Sequence, residues 1–430
     1  MTTTKLESVE VQIDGGLDEL SRGIGHTDDG DEAWVTGALP GERVCVSVSH
    51  VSKIGRVFGV SKEVLLASDD RVPVPCAHFL DCGGCDFLHA NLESQHLFKH
   101  EAVSSALGLK SEDVEAVVPS PQATEYRALA KFVVGENGEL GSYRPRSHEI
   151  VDMAGCVVHA PSIEKVASIV RENYSPNLEL RYVIVRASLQ QSLVIVTLIV
   201  RRDVGQSLNK LVDRLTELSE VAQIVMSVND SDGDALIVPG DDVILYDGPS
   251  VAEQLGGAEQ KLNSGAFSQI NPGAAVGLYE QVVKCVDVQG KKFLDLYSGS
   301  GGISRALMLA GAASVHGVET NAQAVAAAKE SSSTEDLSFE AASVEDVLDR
   351  LGDYDIIVVN PPRKGLSMAV VEALIELPKI DLVYVSCNPK SLARDVKLIE
   401  DNTEALIKRV VPVDMFPQTR HVETVLHLKS

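Results

Sequence analysis

No apolar run in this chain reaches the roughly 18 to 20 residues that a membrane-spanning helix needs, so no membrane partner is expected. The opening MTTTKLESVEVQIDGG has no apolar core of the kind a secretory signal carries. The expectation is a cytoplasmic protein. Basic residues are also scarce: 38 Lys and Arg face 62 Asp and Glu, a formal charge of −24. Phosphate repels that excess, which argues against a protein that coats nucleic acid indiscriminately, although a local basic cleft is still allowed. Cysteine is sparse and odd in number, seven in 430 residues. Without an export signal this is not a disulfide framework, and the clustered cysteines point to metal binding or catalysis.

A chain of 430 residues exceeds what one core usually absorbs, and about two to four domains are expected. Residues 1–67 alternate short apolar runs with Gly and Asp. RVCVSVSHV has the period of a strand and LPGE that of a turn before it, which together predict a small β-barrel. Residues 68–75, SDDRVPVP, read as a linker, and NLESQHLFKHEAVSSALGL has helical spacing. ALAKFVVG, LRYVIVRASL, SLVIVTLIV and AQIVMSVN are strand-like, with helical VGQSLNKLVDRLTELSE between the last two. An α+β central domain over 68–256 follows. From residue 257 strands alternate with helices (KFLDLY, SVHGVE, YDIIVVN, LVYVSC and a last strand near TVLHLK), which predicts a parallel, doubly wound sheet over 257–430.

One run in that last region carries a ligand signature. In FLDLYSGSGGISRALMLAGAASVHGVE a strand ends at Asp295-Leu296-Tyr297, and the turn Gly299-Ser300-Gly301-Gly302 opens a helix. Glycine lets the backbone turn sharply and come close to a ligand. Glu319 ends the next strand, 24 residues after Asp295; a carboxylate there can accept both hydroxyls of a ribose. A dinucleotide site would read G-x-G-x-x-G. The tighter G-x-G-G behind an Asp is more like a site for S-adenosylmethionine (AdoMet), which has no phosphate; the bland alternative is a plain strand–turn–helix. VVNPPRKG ends a later strand, so Asn360-Pro361-Pro362 is placed to hold a planar base beside a methyl donor. Arg363 and Lys364 add positive charge near a phosphate path.

Five motifs, FSQINP at Phe267, DLYSGSGG at Asp295, NPPRKG at Asn360, VSCNPKSLARD at Val385 and DMFPQTRHVE at Asp414, resemble in order and spacing the series of the RNA uracil-C5 methyltransferases. The resemblance extends over almost the whole chain. It implies a multidomain α/β protein: a TRAM/OB-like RNA-binding β-barrel at 1–67, a central domain with an iron–sulfur cluster at 68–256, and a Rossmann-like AdoMet methyltransferase domain at 257–430. CAHFLDCGGCDFLHANLESQHLFK looks like the iron–sulfur segment of the branch that methylates 23S ribosomal RNA, an addition that the bacterial tRNA branch typically lacks along with the barrel.

The implied reaction explains why such residues are needed. C5 of uracil is too weak a nucleophile to attack a sulfonium methyl group until a thiolate adds at C6. A base must afterwards take the C5 proton so that the thiolate can leave. By its match to the family motif Cys387 is the nucleophile, with Lys390 and Arg394 expected to lower its pKa. Read alone, the same cysteine is a core residue at a strand end. Glu423 in HVET matches the proton acceptor, its bland reading being an exposed glutamate on a terminal strand; His421 would position the loop. Gln269 matches the glutamine beside AdoMet, supported by Asn271. Tyr297, Gly299, Gly301, Gly302, Glu319, Ser343 and Asn360 fall where family members contact AdoMet. Two positions depart from the family: many relatives have Asn in place of Gly302, and most have Asp in place of Asn360.

Cys76, Cys82 and Cys85 have the spacing C-x5-C-x2-C, and Cys156 is a fourth. Four thiolates could hold a [4Fe–4S] cluster or a zinc ion; the resemblance favours the cluster, as a structural tie rather than a redox centre. Cys45 and Cys285 are isolated. The function implied is methyl transfer from AdoMet to C5 of a uridine in 23S rRNA by a monomer. Three alternatives stand beside it: the same reaction on tRNA, methylation of an exocyclic base nitrogen (which leaves SCNP and HVE unexplained), and a catalytically weakened RNA-binding homologue.

Overall fold

The structure, a computed structural model, describes residues 8–231, 242–265, 269–332 and 334–430. Phe267 of the first motif lies outside them. Among the described residues no helix is long and apolar enough to cross a membrane.

β1 (Ser8–Gln12), β2 (Arg22–Thr27), β3 (Glu32–Thr36), β4 (Arg43–Val51) and β5 (Val57–Leu66) close a barrel in the order β1-β2-β3-β5-β4. Strand alternation sends Val11, Ala33, Val35, Val44, Val46 and Val57 into an aliphatic interior and the intervening residues outward. After the cysteine segment comes helix α1 (Leu92–Leu107). Its N-cap Asn91 accepts the amide of Ser94 at 2.8 Å, and Gly108 ends it in the left-handed region, φ 65°.

The central sheet has the order β12-β11-β10-β9-β6-β7-β8. Its strands are β6 (Leu129–Val134), β7 (Leu140–Tyr143), β8 (Ile150–Asp152), β9 (Leu180–Ala187), β10 (Val194–Val200), β11 (Val221–Val228) and β12 (Val243–Asp247). Every residue of β10 is buried, as expected for the continuous apolar run VIVTLIV. Helices α2 (Pro161–Glu172) and α3 (Asn209–Thr216) pack on this sheet. The hairpin β13 (Ala252–Leu255) and β14 (Ala258–Lys261) turns at the expected boundary between 256 and 257.

The C-terminal sheet has the order β17-β16-β15-β18-β19-β21-β20. Its strands are β15 (Lys292–Leu296), β16 (Ser314–Glu319), β17 (Leu337–Ala341), β18 (Ile356–Val359), β19 (Asp381–Ser386), β20 (Leu406–Val413) and β21 (Glu423–Lys429). Helices α4 (Pro272–Cys285), α5 (Gly302–Leu309), α6 (Ala322–Glu330), α7 (Met368–Ile375) and α8 (Pro389–Asn402) alternate with them. β15 to β19 are parallel, as the alternation predicts. The expectation of a wholly parallel sheet is corrected at its end: β21 runs antiparallel to both β19 and β20. No helix lies between β20 and β21, so the chain returns directly instead of crossing over. This reversal brings the start of β21 beside the end of β19.

Candidate active site

The expected cofactor residues gather at the carboxyl ends of the parallel strands, around the β15–β18 pair where the winding reverses. Asp295 in β15 is fully buried and accepts the Ser304 hydroxyl at 2.5 Å. Burial pushes its carboxyl up to about 7. Tyr297 follows with φ 62°. The amide of Gly299 donates to Glu319 at 3.1 Å. The other oxygen of Glu319 takes the Asn321 amide at 2.8 Å and the Thr320 hydroxyl at 3.1 Å. The oxygen bonded to Gly299 keeps a lone pair for a further donor, and a Cβ at Gly299 would meet nothing within 4 Å. A fixed carboxylate thus faces open space, as a ribose site requires. Ser343, past the end of β17, caps the helical turn Val344–Asp353, and its neighbour Ala342 donates to the Glu319 carbonyl at 3.1 Å. The Asn360 amide donates to the Leu296 carbonyl at 3.2 Å.

Gln269 hydrogen-bonds the Tyr279 hydroxyl. Asn271 caps α4 and also donates to Ser120 at 3.0 Å and to the Met415 carbonyl at 3.1 Å. Tyr279 is packed on Gly302, where a Cβ would stand 2.4 Å from its hydroxyl oxygen. The tyrosine thus occupies the space that an Asn side chain at 302 would need.

Cys387 leaves the end of β19, one residue before Asn388, the N-cap of α8. Ser386 pairs with Thr424 in the β19–β21 ladder, so Cys387 and Glu423 lie side by side one step further on. Arg363 hydrogen-bonds the Cys387 thiol and contacts His421 at 3.0 Å. The side chain of Asn388 donates to the Arg363 carbonyl at 3.0 Å and locks the NPPR and SCNP loops together. Burial, then the Glu423 charge, push the Cys387 thiol up, and Arg363 opposes them. The expectation of a lowered pKa through Lys390 and Arg394 is corrected. Lys390 pairs with Glu19 of the barrel, and Arg394 turns to Asp395 at 2.6 Å. Burial pushes Glu423 up to about 8, against the pull of Arg363. Burial and the neighbouring Arg363 and Arg420 bring His421 down to about 4, so it is a neutral acceptor for Arg363. The thiol opens into a cleft of ≈720 Å³ lined also by Leu20 of the barrel, Phe87, Phe98, Lys390 and Arg420.

Cys76, Cys82, Cys85 and Cys156 are free thiols, partly buried, and close enough to feel one another's charge. Cys82 accepts the Gly84 amide at 3.4 Å, and burial pushes up the thiols of Cys82, Cys85 and Cys156. Among the described residues no three His, Cys, Asp or Glu side chains close round a single metal ion. Four thiols are a donor set that either a [4Fe–4S] cluster or a zinc ion could use. The segment is tied to the loop before β21. Asp86 and Phe87 donate their amides to the Gln418 carbonyl at 2.9 Å, and Arg420 bonds the Asp86 carboxylate at 2.6 Å. Gln95 and Gln418 exchange hydrogen bonds at 3.0 Å. Buried Lys99 of α1 meets Asp414 at 2.5 Å.

Residues 160–430 match the family described as tRNA (Uracil-5-)-methyltransferase. The chain belongs to the RNA uracil-C5 methyltransferase family. An uncharacterized RNA methyltransferase of Geobacter sulfurreducens is 34% identical over 95% of this chain and 87% of its own length. One of Listeria innocua is 30% identical over 99% and 98%. The crystal structure of Pyrococcus abyssi tRNA (uracil-54, C5)-methyltransferase in complex with S-adenosyl-L-homocysteine superposes with a TM-score of 0.78 at 28% identity, covering 97% of this chain and 99% of that one. As a uracil-C5 methyltransferase the chain is an AdoMet-dependent RNA methyltransferase. In this methyltransferase two features escaped the sequence. Arg363 was read as a phosphate contact, although its place inside the NPPR motif signals a site residue. The approach of barrel residues 17–21 to the cleft left no local signal.

Proposed function

We propose that the protein methylates C5 of a uridine in 23S rRNA through a covalent adduct of Cys387 with C6. The observation that carries this reading is the convergence of Cys387 and Glu423 at the ends of adjacent strands, with Arg363 on the thiol. AdoMet, held by Gln269, Tyr297, Gly299, Gly301, Gly302, Glu319, Ser343 and Asn360, supplies the methyl group. The Cys387 thiolate forms a bond to C6 and converts C5 into an enolate carbon. C5 takes the methyl group as the methyl–sulfur bond of AdoMet breaks to leave S-adenosylhomocysteine, and Glu423 then takes the C5 proton. The C6–S bond then breaks, restoring the C5–C6 double bond and the thiolate. Arg363 balances the charge on sulfur throughout. The target uridine must leave its stack to reach the cleft.

Cys76, Cys82, Cys85 and Cys156 would hold a [4Fe–4S] cluster whose work is structural. The enzyme would act as a cytoplasmic monomer. A tRNA substrate is the second reading, favoured by the Pyrococcus abyssi tRNA enzyme, which matches along nearly the whole chain, barrel region included.

The test is trapping. With AdoMet and RNA carrying 5-fluorouridine, C5 has no proton to lose, so the enzyme should stay covalently bound; Cys387→Ala should not. Wild type that binds both ligands without an adduct would sink the mechanism. Parallel reactions on 23S rRNA fragments and tRNA transcripts decide the substrate.

A further inference from the structure

The barrel contains two aromatic residues among residues 8–67, Trp34 and Phe58. Neither is inside. The interior is aliphatic, and both rings stand on the outer face among their inward-pointing neighbours Ala33, Val35, Val57 and Gly59. Parallel pairing of β3 with β5 sets Trp34 beside Phe58, and pairing of β4 with β5 sets His50 on the other side. The three rings stack: Trp34–Phe58 with centroids 5.3 Å apart and planes at 19°, Phe58–His50 at 4.5 Å and 3°. The Arg56 guanidinium lies 4.9 Å from the Trp34 ring centre, and that of Arg22 lies 5.2 Å from the Phe58 centre. His50 is exposed, the other four half-buried.

This row starts at the catalytic cleft. Arg22 directly follows residues 17–21, which line the cleft around Cys387. Asp18 of that loop holds the Arg22 side chain at 2.6 Å and the Arg22 amide at 2.9 Å, so loop and row move together. Glu19 reaches across to Lys390, in the first turn after Cys387.

We propose that Arg22, Phe58, Trp34, Arg56 and His50 form a base-stacking track for a single-stranded stretch of the RNA substrate as it leaves the cleft. The inference rests on the reading of the chain as an RNA methyltransferase and adds where the flanking strand lies. Unpaired bases stack on aromatic rings and guanidinium planes whatever their sequence; because these rings cover one another, the faces offered to a base are those of exposed His50 and of the arginines that cap the row. Each arginine of the row is already neutralised, Arg22 by Asp18 and Arg56 by Glu32 at 2.7 Å. The track therefore grips base faces and not phosphates, which is how an acidic barrel can bind RNA.

Trp34 is the sole tryptophan of the chain, so its emission reports on the track in the intact enzyme. Titration with an oligouridylate of about 12 nucleotides should quench it saturably, and an RNA duplex should not. The His50→Ala, Arg56→Ala double variant should bind the same oligouridylate about 5-fold or more weakly. Its salt dependence should keep the wild-type slope, because a lost phosphate contact lowers that slope by about one. Absence of binding overturns the track. So does binding, followed by anisotropy of labelled RNA, that leaves Trp34 emission and the double variant's affinity unchanged. The 5-fluorouridine adduct is scored separately. Trapping with a silent Trp34 leaves the function standing without the track; quenching without trapping leaves the track and removes the C5 reaction.

Discussion

Arg363 hydrogen-bonds the thiol of Cys387, and the Asn388 side chain holds Arg363 in place through its carbonyl at 3.0 Å. Two motifs that are separate in sequence therefore act on one sulfur atom. The guanidinium opposes both burial and the Glu423 charge, so its removal should leave a thiol that ionises later. Arg363→Ala should slow alkylation of Cys387 by iodoacetamide at pH 7.5 by about 10-fold, the effect of one pKa unit. Arg363→Lys keeps the charge but loses the planar fork and should recover part of the rate. An unchanged alkylation rate in Arg363→Ala would remove the arginine from nucleophile activation.

Glu423 carries the pH dependence. Its folded carboxyl titrates at about 8, well above the ordinary 4.5, because burial disfavours the charge. As a base it must be ionised, so kcat/KM should climb through neutral pH to about 8, and it should go on rising beyond as the raised Cys387 thiol ionises. The same shift acts on stability with the opposite sense. A raised folded pKa means that the folded state holds the proton longer. The stability contribution is complete below about 4.5 and falls as pH rises to about 8. Glu423→Gln has no proton to lose. Its denaturation midpoint should fall less than that of wild type between pH 5 and pH 9, by a difference of a few kcal/mol at most. It should still trap unmodified uridine RNA as an adduct while turnover stops. Parallel pH profiles for the two proteins would contradict the buried carboxyl.

Much of this arrangement was legible in the sequence because the signals are local. RVCVSVSHV, KFLDLY and SVHGVE carry strand period and burial within their own length, and each is a strand. The strands Leu337–Ala341 and Leu406–Val413 went unread: LSFEA is short, and LIKRVVPV is interrupted by charges that its edge position tolerates. The site residues were legible as motif members, but not the forces on them. Whether Cys387 is pushed up or down depends on Glu423, 36 positions away, and on an antiparallel last strand that the alternation of elements does not announce. Lys390 and Arg394 looked like the activating cations because they are near in sequence. In space Glu19 of the barrel and Asp395 claim them.

Gly302 and Tyr279 form a compensated pair. A Cβ at 302 would stand 2.4 Å from the tyrosine hydroxyl and 2.6 Å from the ring, so an Asn cannot be introduced there alone. Gly302→Asn should destabilise by about 1–3 kcal/mol through overpacking and weaken AdoMet binding, read by calorimetry. Tyr279→Ala frees the space, and the double variant should recover stability relative to Gly302→Asn alone. The coupling should exceed about 0.5 kcal/mol, as expected for residues in contact. Additive effects in this cycle would mean that the tyrosine moves aside without cost.

The cysteine segment reaches Glu423 through a short chain of contacts. Cys85 adjoins Asp86, whose carboxylate holds the Arg420 side chain at 2.6 Å and its backbone amide at 3.0 Å. Asp86 and Phe87 both donate to the Gln418 carbonyl at 2.9 Å. Three residues beyond Arg420 the chain enters β21 at Glu423. Tyr297, Glu319, Ser343 and Asn360 lie at the ends of other strands and make none of these bonds. Protein purified without oxygen should be brown, with a broad absorption band and iron at about four per chain. Cys85→Ser should be colourless and lose most turnover while AdoMet binding stays within about 2-fold, a change of some 0.4 kcal/mol. Asp86→Ala breaks the same link one residue later, so it should keep the colour and still lose turnover. If Asp86→Ala is fully active, the cluster segment does not set the position of Glu423. Colourless wild type containing zinc would replace the cluster with a mononuclear metal.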